Sequence, residues 1–235
     1  MPNPTHRRSF LGRLAAGGAA LTAGLAVTGR PLDAMPTAPA SARDDFTPAR
    51  HPQDDWYDKI PGKHRLFLDA TDDAEAAAAV GFAWNFLRTS QTGYNLKDAD
   101  QAVVICLRHY ATKFAFSNAT WEKYDVLRKV KYQHPETEKK VRGGNAFRLG
   151  STSPASVADG FTLEGMAKRG VHFAICGVAT RGLAGQIAGK GATHDAVETV
   201  MTELVAALPD NAHLMASGIL AAQRAGEYGY TVIRG

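Results

Sequence analysis

Few residues in this 235-residue chain have both the chemistry and the setting to act on another molecule, and two cysteines and eight histidines head them. Cys176 ends the apolar run Val171-His172-Phe173-Ala174-Ile175 and precedes Gly177, where a strand would open into a helix. Backbone N–H groups at a helix N-terminus stabilise a thiolate. A thiolate there can attack a sulfur donor, carry a persulfide, bind a soft metal or exchange with a disulfide. The competing reading is a small, buried, inert side chain. Cys106 sits inside Val103 to Leu107 and reads as core. A Cys106–Cys176 disulfide needs α-carbons within about 7 Å, which disfavours a mid-strand residue pairing with a strand-end one. His109 follows the second apolar run beside Arg108 and Tyr110. On a rim shared with Cys176 it is the candidate proton partner, since a histidine near a cysteine generates and uses a thiolate. Its bland alternative is an exposed or backbone-bonded histidine.

Other chemistries find less support. His172 lies within a strand pattern and reads as core or flank, and His194 and His213 are far apart. No His-x-x-x-His or His-Glu-x-x-His pair occurs, so a zinc or iron site has no motif behind it and any metal ligand stays unassigned. Two cysteines exclude a disulfide scaffold and a four-thiolate zinc site. The glycines from Gly185 to Gly191 resemble a phosphate loop. The motif fails because Ala184 stands five before Gly189 and Gly191 takes the Ser/Thr position. No Gly-x-Ser-x-Gly turn is present either. The sequence requires no cofactor; persulfide sulfur on a cysteine is the one candidate.

The N-terminus reads as an address. Thr5-His6-Arg7-Arg8-Ser9-Phe10-Leu11 precedes an uncharged, weakly apolar stretch from Leu14 to Gly29. That is the layout of a secretory signal with a twin-arginine motif, and it predicts a periplasmic or otherwise exported protein. Small-residue cleavage patterns follow at Ala38-Pro39-Ala40 and Ala40-Ser41-Ala42; a basic amphipathic helix or an uncleaved anchor are the alternatives. Residues 1–42 hold four of the 27 Lys and Arg and one of the 23 acids, so the remainder carries 23 basic and 22 acidic groups. A nearly neutral domain offers no long-range attraction to phosphate backbones, so no nucleic-acid partner is expected. No apolar run reaches the roughly 18 residues of a membrane span.

These candidates need a scaffold. The composition, 45% apolar and 21% charged, is globular. Residues 43–62, with Pro48, Pro52 and Pro61, read as a linker that wraps or dangles. Apolar runs at 65–70, 102–107, 171–175, 213–216 and 230–233 have the length of buried strands. Helical patterns lie between them: 72–89 with an Asp72-x-x-Glu75 start, roughly 114–130, 161–169, 177–187, 193–207 and 217–225. Residues 131–160 show no period and read as a loop excursion. The alternation predicts one α/β domain over 63–235, a three-layer α/β/α fold on a mainly parallel five-stranded sheet. Ligands in such sheets bind beyond the carboxyl ends of the strands. That directs attention to Asp69 to Asp73, Arg108-His109-Tyr110, Cys176-Gly177 and Ser217-Gly218.

Gly170 to Ala179, Arg181-Gly182-Leu183, Ser217-Gly218 with Gln223, and the closing Gly229-Tyr230-Thr231-Val232-Ile233 together resemble the DsrE/DsrF-like sulfur-relay family. Leu107-Arg108-His109 and the residues Phe114, Asn118, Trp121 and Tyr124 are similar to exported twin-arginine members. The resemblance spans about 64–235 and is weak across 130–160. It implies the three-layer fold, assembly into trimers or hexamers, and a cysteine at this strand end, here Cys176, that accepts sulfur as a persulfide. The expected function is an exported sulfur carrier or thiol-redox protein with a periplasmic redox or sulfur partner. The alternative is a non-catalytic oligomeric module binding a small ligand or metal at the strand-end rim.

Overall fold

A computed structural model describes residues 47–129, 144–148 and 161–234. The expected signal at 1–42 and most of the 131–160 excursion lie outside the described residues. The five expected strands are present as β1 (His64–Ala70), β2 (Gln101–Leu107), β3 (His172–Cys176), β4 (Ala212–Met215) and β5 (Thr231–Arg234). They pair in parallel in the order β4-β3-β2-β1-β5. Burial on both faces explains why the sequence shows apolar runs instead of alternation: all seven residues of β2 are buried.

The helices are α1 (Trp56–Lys59), α2 (Asp73–Tyr94), α3 (Asn118–Tyr124), α4 (Val126–Lys129), α5 (Leu163–Lys168), α6 (Gly177–Ala188), α7 (His194–Ala206) and α8 (Gly218–Glu227). The chain steps one way across the sheet from β1 to β4, then returns past β1 to β5. Right-handed crossovers place the helices of the outward run on one face and the returning helix on the other. The core divides accordingly. On the first face Leu66, Leu68, Ile105, Phe173 and Ile175 pack under α2, α5, α6 and α7. On the second, Phe67, Val104, Cys106, Ala174 and Met215 pack under α8. This is the three-layer α/β/α arrangement expected from the sequence. Among the described residues no helix is long and apolar enough to cross a membrane.

Local chemistry sets the helix ends. The Asp72 carboxylate accepts the N–H groups of Ala74 and Glu75, both at 2.9 Å, and starts α2 at the expected position. Glu75 departs from the reciprocal capping pattern and accepts from the Thr71 backbone N–H at 2.7 Å. The helix continues to Tyr94, past the expected end near Thr89, and stops where Asn95 turns left-handed at φ 56°.

Two expectations change. The helix expected over 114–130 is broken, in its described part to residue 129, into a 3-10 segment at His109–Ala115 and the short helices α3 and α4. The Asn145 side chain takes the carbonyls of Phe114 and Phe116 at 2.7 and 2.9 Å, and Arg148 takes that of Ala115. Those carbonyls are then held by side chains instead of by a helix. The segment read as a linker also wraps, and from residue 52 it belongs to the core. Tyr57 and Ile60 are buried on the second face. The Tyr57 hydroxyl donates to the Ala221 carbonyl at 2.9 Å, and the Tyr230 hydroxyl donates to the Tyr57 carbonyl at 2.8 Å. The second layer is thus one helix and an N-terminal strap, and the folded domain begins before residue 63.

Candidate functional site

The carboxyl ends of β3 and β4 are adjacent, and the helices that follow them go to opposite faces: α6 to the first, α8 to the second. Such a divergence opens the crevice where parallel sheets hold ligands. Cys176 occupies it. As the last residue of β3 and the N-cap of α6, it directs Sγ to accept the Ala179 N–H at 3.4 Å. Its own carbonyl accepts the Thr180 hydroxyl at 2.9 Å, fixing the first turn. The residue is 7% exposed, a narrow opening beside Met215, its partner across the β3–β4 ladder.

Two glycines make the crevice narrow. A Cβ at Gly177 would lie 2.6 Å from the Met215 carbonyl oxygen. A Cβ at Gly218 would lie 2.4 Å from Cβ of Arg108 and 2.7 Å from its Cδ. Both helices therefore start where only glycine fits, one against β4 and the other against the Arg108 stem. The Arg108 guanidinium is clamped by Asp69 through two parallel hydrogen bonds, Nε at 2.7 Å and Nη2 at 2.8 Å. Asp69 is buried and lies opposite Cys106 in the β1–β2 register. The Asp69 bonds foremost raise the Arg108 pKa, and the proximity of Cys106 and Cys176 adds to the rise. A guanidinium paired with a carboxylate thus stands near both sulfurs.

Cys106 is fully buried beneath it, with Sγ 3.8 Å from the Gly218 carbonyl oxygen. Burial above all pushes its thiol well up, and nearby Asp69 pushes the same way. Both cysteines are free thiols. Their positions on neighbouring strands agree with the reading of Cys106 as core.

His109 is exposed and left-handed, at φ 54°, with its ring edge-on to Tyr110 at 4.1 Å between centroids. It lines a cleft of about 490 Å³ between the 109–115 segment and α6. Cys176 is not among the described lining residues, so the structure sets the two candidate residues on separate features. Ala179 touches both, giving its N–H to Cys176 and a wall to the cleft. The cleft also holds Lys113, buried against Asp73. Burial lowers the Lys113 pKa, and the hydrogen bond that its ammonium donates to Asp73 opposes that.

The sequence marks Arg108 and Asp69 only as strand-end neighbours, without a role. Strand alternation carries the signal: Cys106 and Arg108 are two apart and share a side, while His109 falls on the other. Nothing in the sequence pattern announces the pairing of His172 with His213. Their Nδ1 and Nε2 lie 3.0 Å apart, and the Trp56 ring of the strap stacks on His213 at 3.8 Å. Burial lowers both pKa values, that of His213 to about 4. No group of three or more metal-ligating side chains occurs among the described residues. Comparison with protein-family models, with curated proteins and with solved structures gives no match, so the chemistry of the site rests on the residues that form it.

Proposed function

We propose that this chain is an exported sulfur-carrier or thiol-redox protein of the DsrE/DsrF-like kind, acting through Cys176. The observation that carries the reading is the placement of Cys176 Sγ at the N-cap of α6, accepting the Ala179 N–H, in the crevice where α6 and α8 diverge. As a thiolate, that sulfur meets an oriented backbone donor and the charge of Arg108, which Asp69 keeps in place.

The transfer step balances without an added oxidant. The Cys176 thiolate attacks the outer sulfur of a donor persulfide, R–S–SH. A sulfur–sulfur bond forms to Cys176 as the donor bond breaks, and R–S⁻ leaves. An acceptor thiolate then attacks the outer sulfur of Cys176–S–SH and regenerates the Cys176 thiolate. Arg108 stabilises the anion at both ends of the exchange. His109, expected as proton partner, faces the cleft, so the proton leaves Cys176 to solvent. The exposed side chains Val178 and Ile219, in the first turns of α6 and α8, offer apolar contacts beside the sulfur for a protein acceptor or a further copy of the chain. Assembly into trimers or hexamers and export through the Arg7-Arg8 signal belong to the same proposal.

Intact mass before and after exposure to polysulfide tests the reading, with Cys176→Ser and Cys106→Ser alongside. The expected result is a reducible gain of about 32 Da, one sulfur, lost only in Cys176→Ser. A folded protein that gains no sulfur, or gains it on Cys106, overturns it.

A further inference from the structure

The cleft on the other side of α6 has a one-sided chemistry that sulfur carriage does not use. His109, Lys113 and Lys129 all reach it, and no acidic side chain is among its described lining residues. Asp73 answers the Lys113 charge from behind, whereas no acid among the described lining residues stands against Lys129. The remaining walls are apolar or neutral: the Tyr110 ring, Ala179, Leu183 and the bare backbone of Gly182. A volume of about 490 Å³ lies within the range of small-molecule sites. The imidazole of His109 reaches this wall through a left-handed backbone, φ 54°, that few side-chain-bearing residues adopt. Such backbone outliers concentrate at sites that clamp ligands.

We infer that this cleft binds a small organic carboxylate, its anionic end between Lys129 and His109 and its apolar body along Tyr110, Ala179 and Leu183. The positive charge selects the anion, and the apolar walls demand a hydrocarbon part that inorganic anions lack. Lys113, already matched by Asp73, shapes the wall and adds no net charge. Cys176 does not line the site, although Ala179 borders both.

Hexanoate is the probe, with hexanol and hexylammonium as neutral and cationic controls. Titration is followed by backbone amide NMR on the full-length Cys176→Ser protein, so failure of the sulfur reading leaves this test intact. The expected result is saturable binding of hexanoate at about millimolar concentration, the range ligands of this size reach. The shifts should centre on Tyr110, Ala179 and Gly182, and both controls should bind several-fold more weakly. Gly182→Leu enters the cleft from a helix position where a Cβ meets nothing within 4 Å, and an amide spectrum unchanged away from the cleft checks that the fold is kept. The substitution should abolish the shifts, while Lys129→Gln should weaken binding several-fold. Equal binding of hexanol, shifts centred elsewhere, or full binding by Gly182→Leu overturns the inference.

Discussion

Cys106 and Cys176 lie on adjacent strands and differ little in what surrounds them, yet one reads as core and the other as a site. Register places Cys106 opposite Ala174, two residues short of Cys176. Arg108, clamped by Asp69, stands near both sulfurs. Cys106 is sealed at 0% exposure under α8, and its thiol points at the Gly218 carbonyl oxygen, which disfavours an anion. Cys176 keeps 7% exposure and faces an N–H. Two residues further along a strand, the partner of the sulfur changes from an acceptor to a donor. Reactivity in a parallel sheet is set by where the strand stops.

The largest test of that contrast opens the buried cluster that Cys106 shares with Tyr57. Tyr57→Ala empties a fully buried aromatic site in the strap and should cost about 3–5 kcal/mol in urea unfolding. Short of unfolding, it should make Cys106 accessible to alkylation and erase the difference between the thiols. Gly218→Ala should cost less, about 1–3 kcal/mol, because the new methyl group must displace the Arg108 stem. Sulfur uptake by Cys176 should fall with it, since the displaced guanidinium no longer stands beside the thiolate; intact mass after polysulfide reads this.

Acid tests the strap from its other end. The folded pKa of His213, about 4, lies below the ordinary histidine value of 6.5. Between those values the unfolded chain binds more protons than the folded one. Stability is therefore full above about pH 6.5 and declines as the pH falls toward 4, by at most about 1.4 kcal/mol per pH unit for this one group. Urea midpoints at pH 7, 6 and 5 should show the decline, and His213→Gln should flatten it. The smallest effect on the thiols also loosens the clamp, because Arg108→Met leaves the buried Asp69 carboxylate unpaired. Arg108→Met should slow alkylation of Cys176 by about three- to tenfold and reduce its dependence on salt, leaving Cys106 silent.

Much of this arrangement is legible in the amino-acid sequence. The three central strands can be read because both faces are buried, which leaves unbroken apolar runs such as Val103 to Leu107, and the exposed edge strand β5 by the short run Tyr230 to Ile233 alone. Cys176 can be read because a cysteine followed by glycine at the end of such a run marks a strand-to-helix turn. The strap cannot: Tyr57 and Ile60 are two apolar residues among prolines and acids, with no period to announce them. The Asp69–Arg108 clamp and the His172–His213 pair depend on which strands are neighbours and in what register, and a single strand's pattern does not contain that. The breaks between residues 109 and 129 come from Asn145 and Arg148, side chains distant in the sequence whose hydrogen bonds outcompete local helix propensity.

Site-resolved alkylation of the folded protein tests the central claim most directly. Iodoacetamide is applied under native conditions, and the peptides carrying Cys176 and Cys106 are quantified by mass spectrometry against a urea-unfolded control. The account predicts label on Cys176 and none on Cys106 until the chain unfolds. Label on Cys106 first, or a Cys176 as inert as Cys106 in the folded protein, would contradict it.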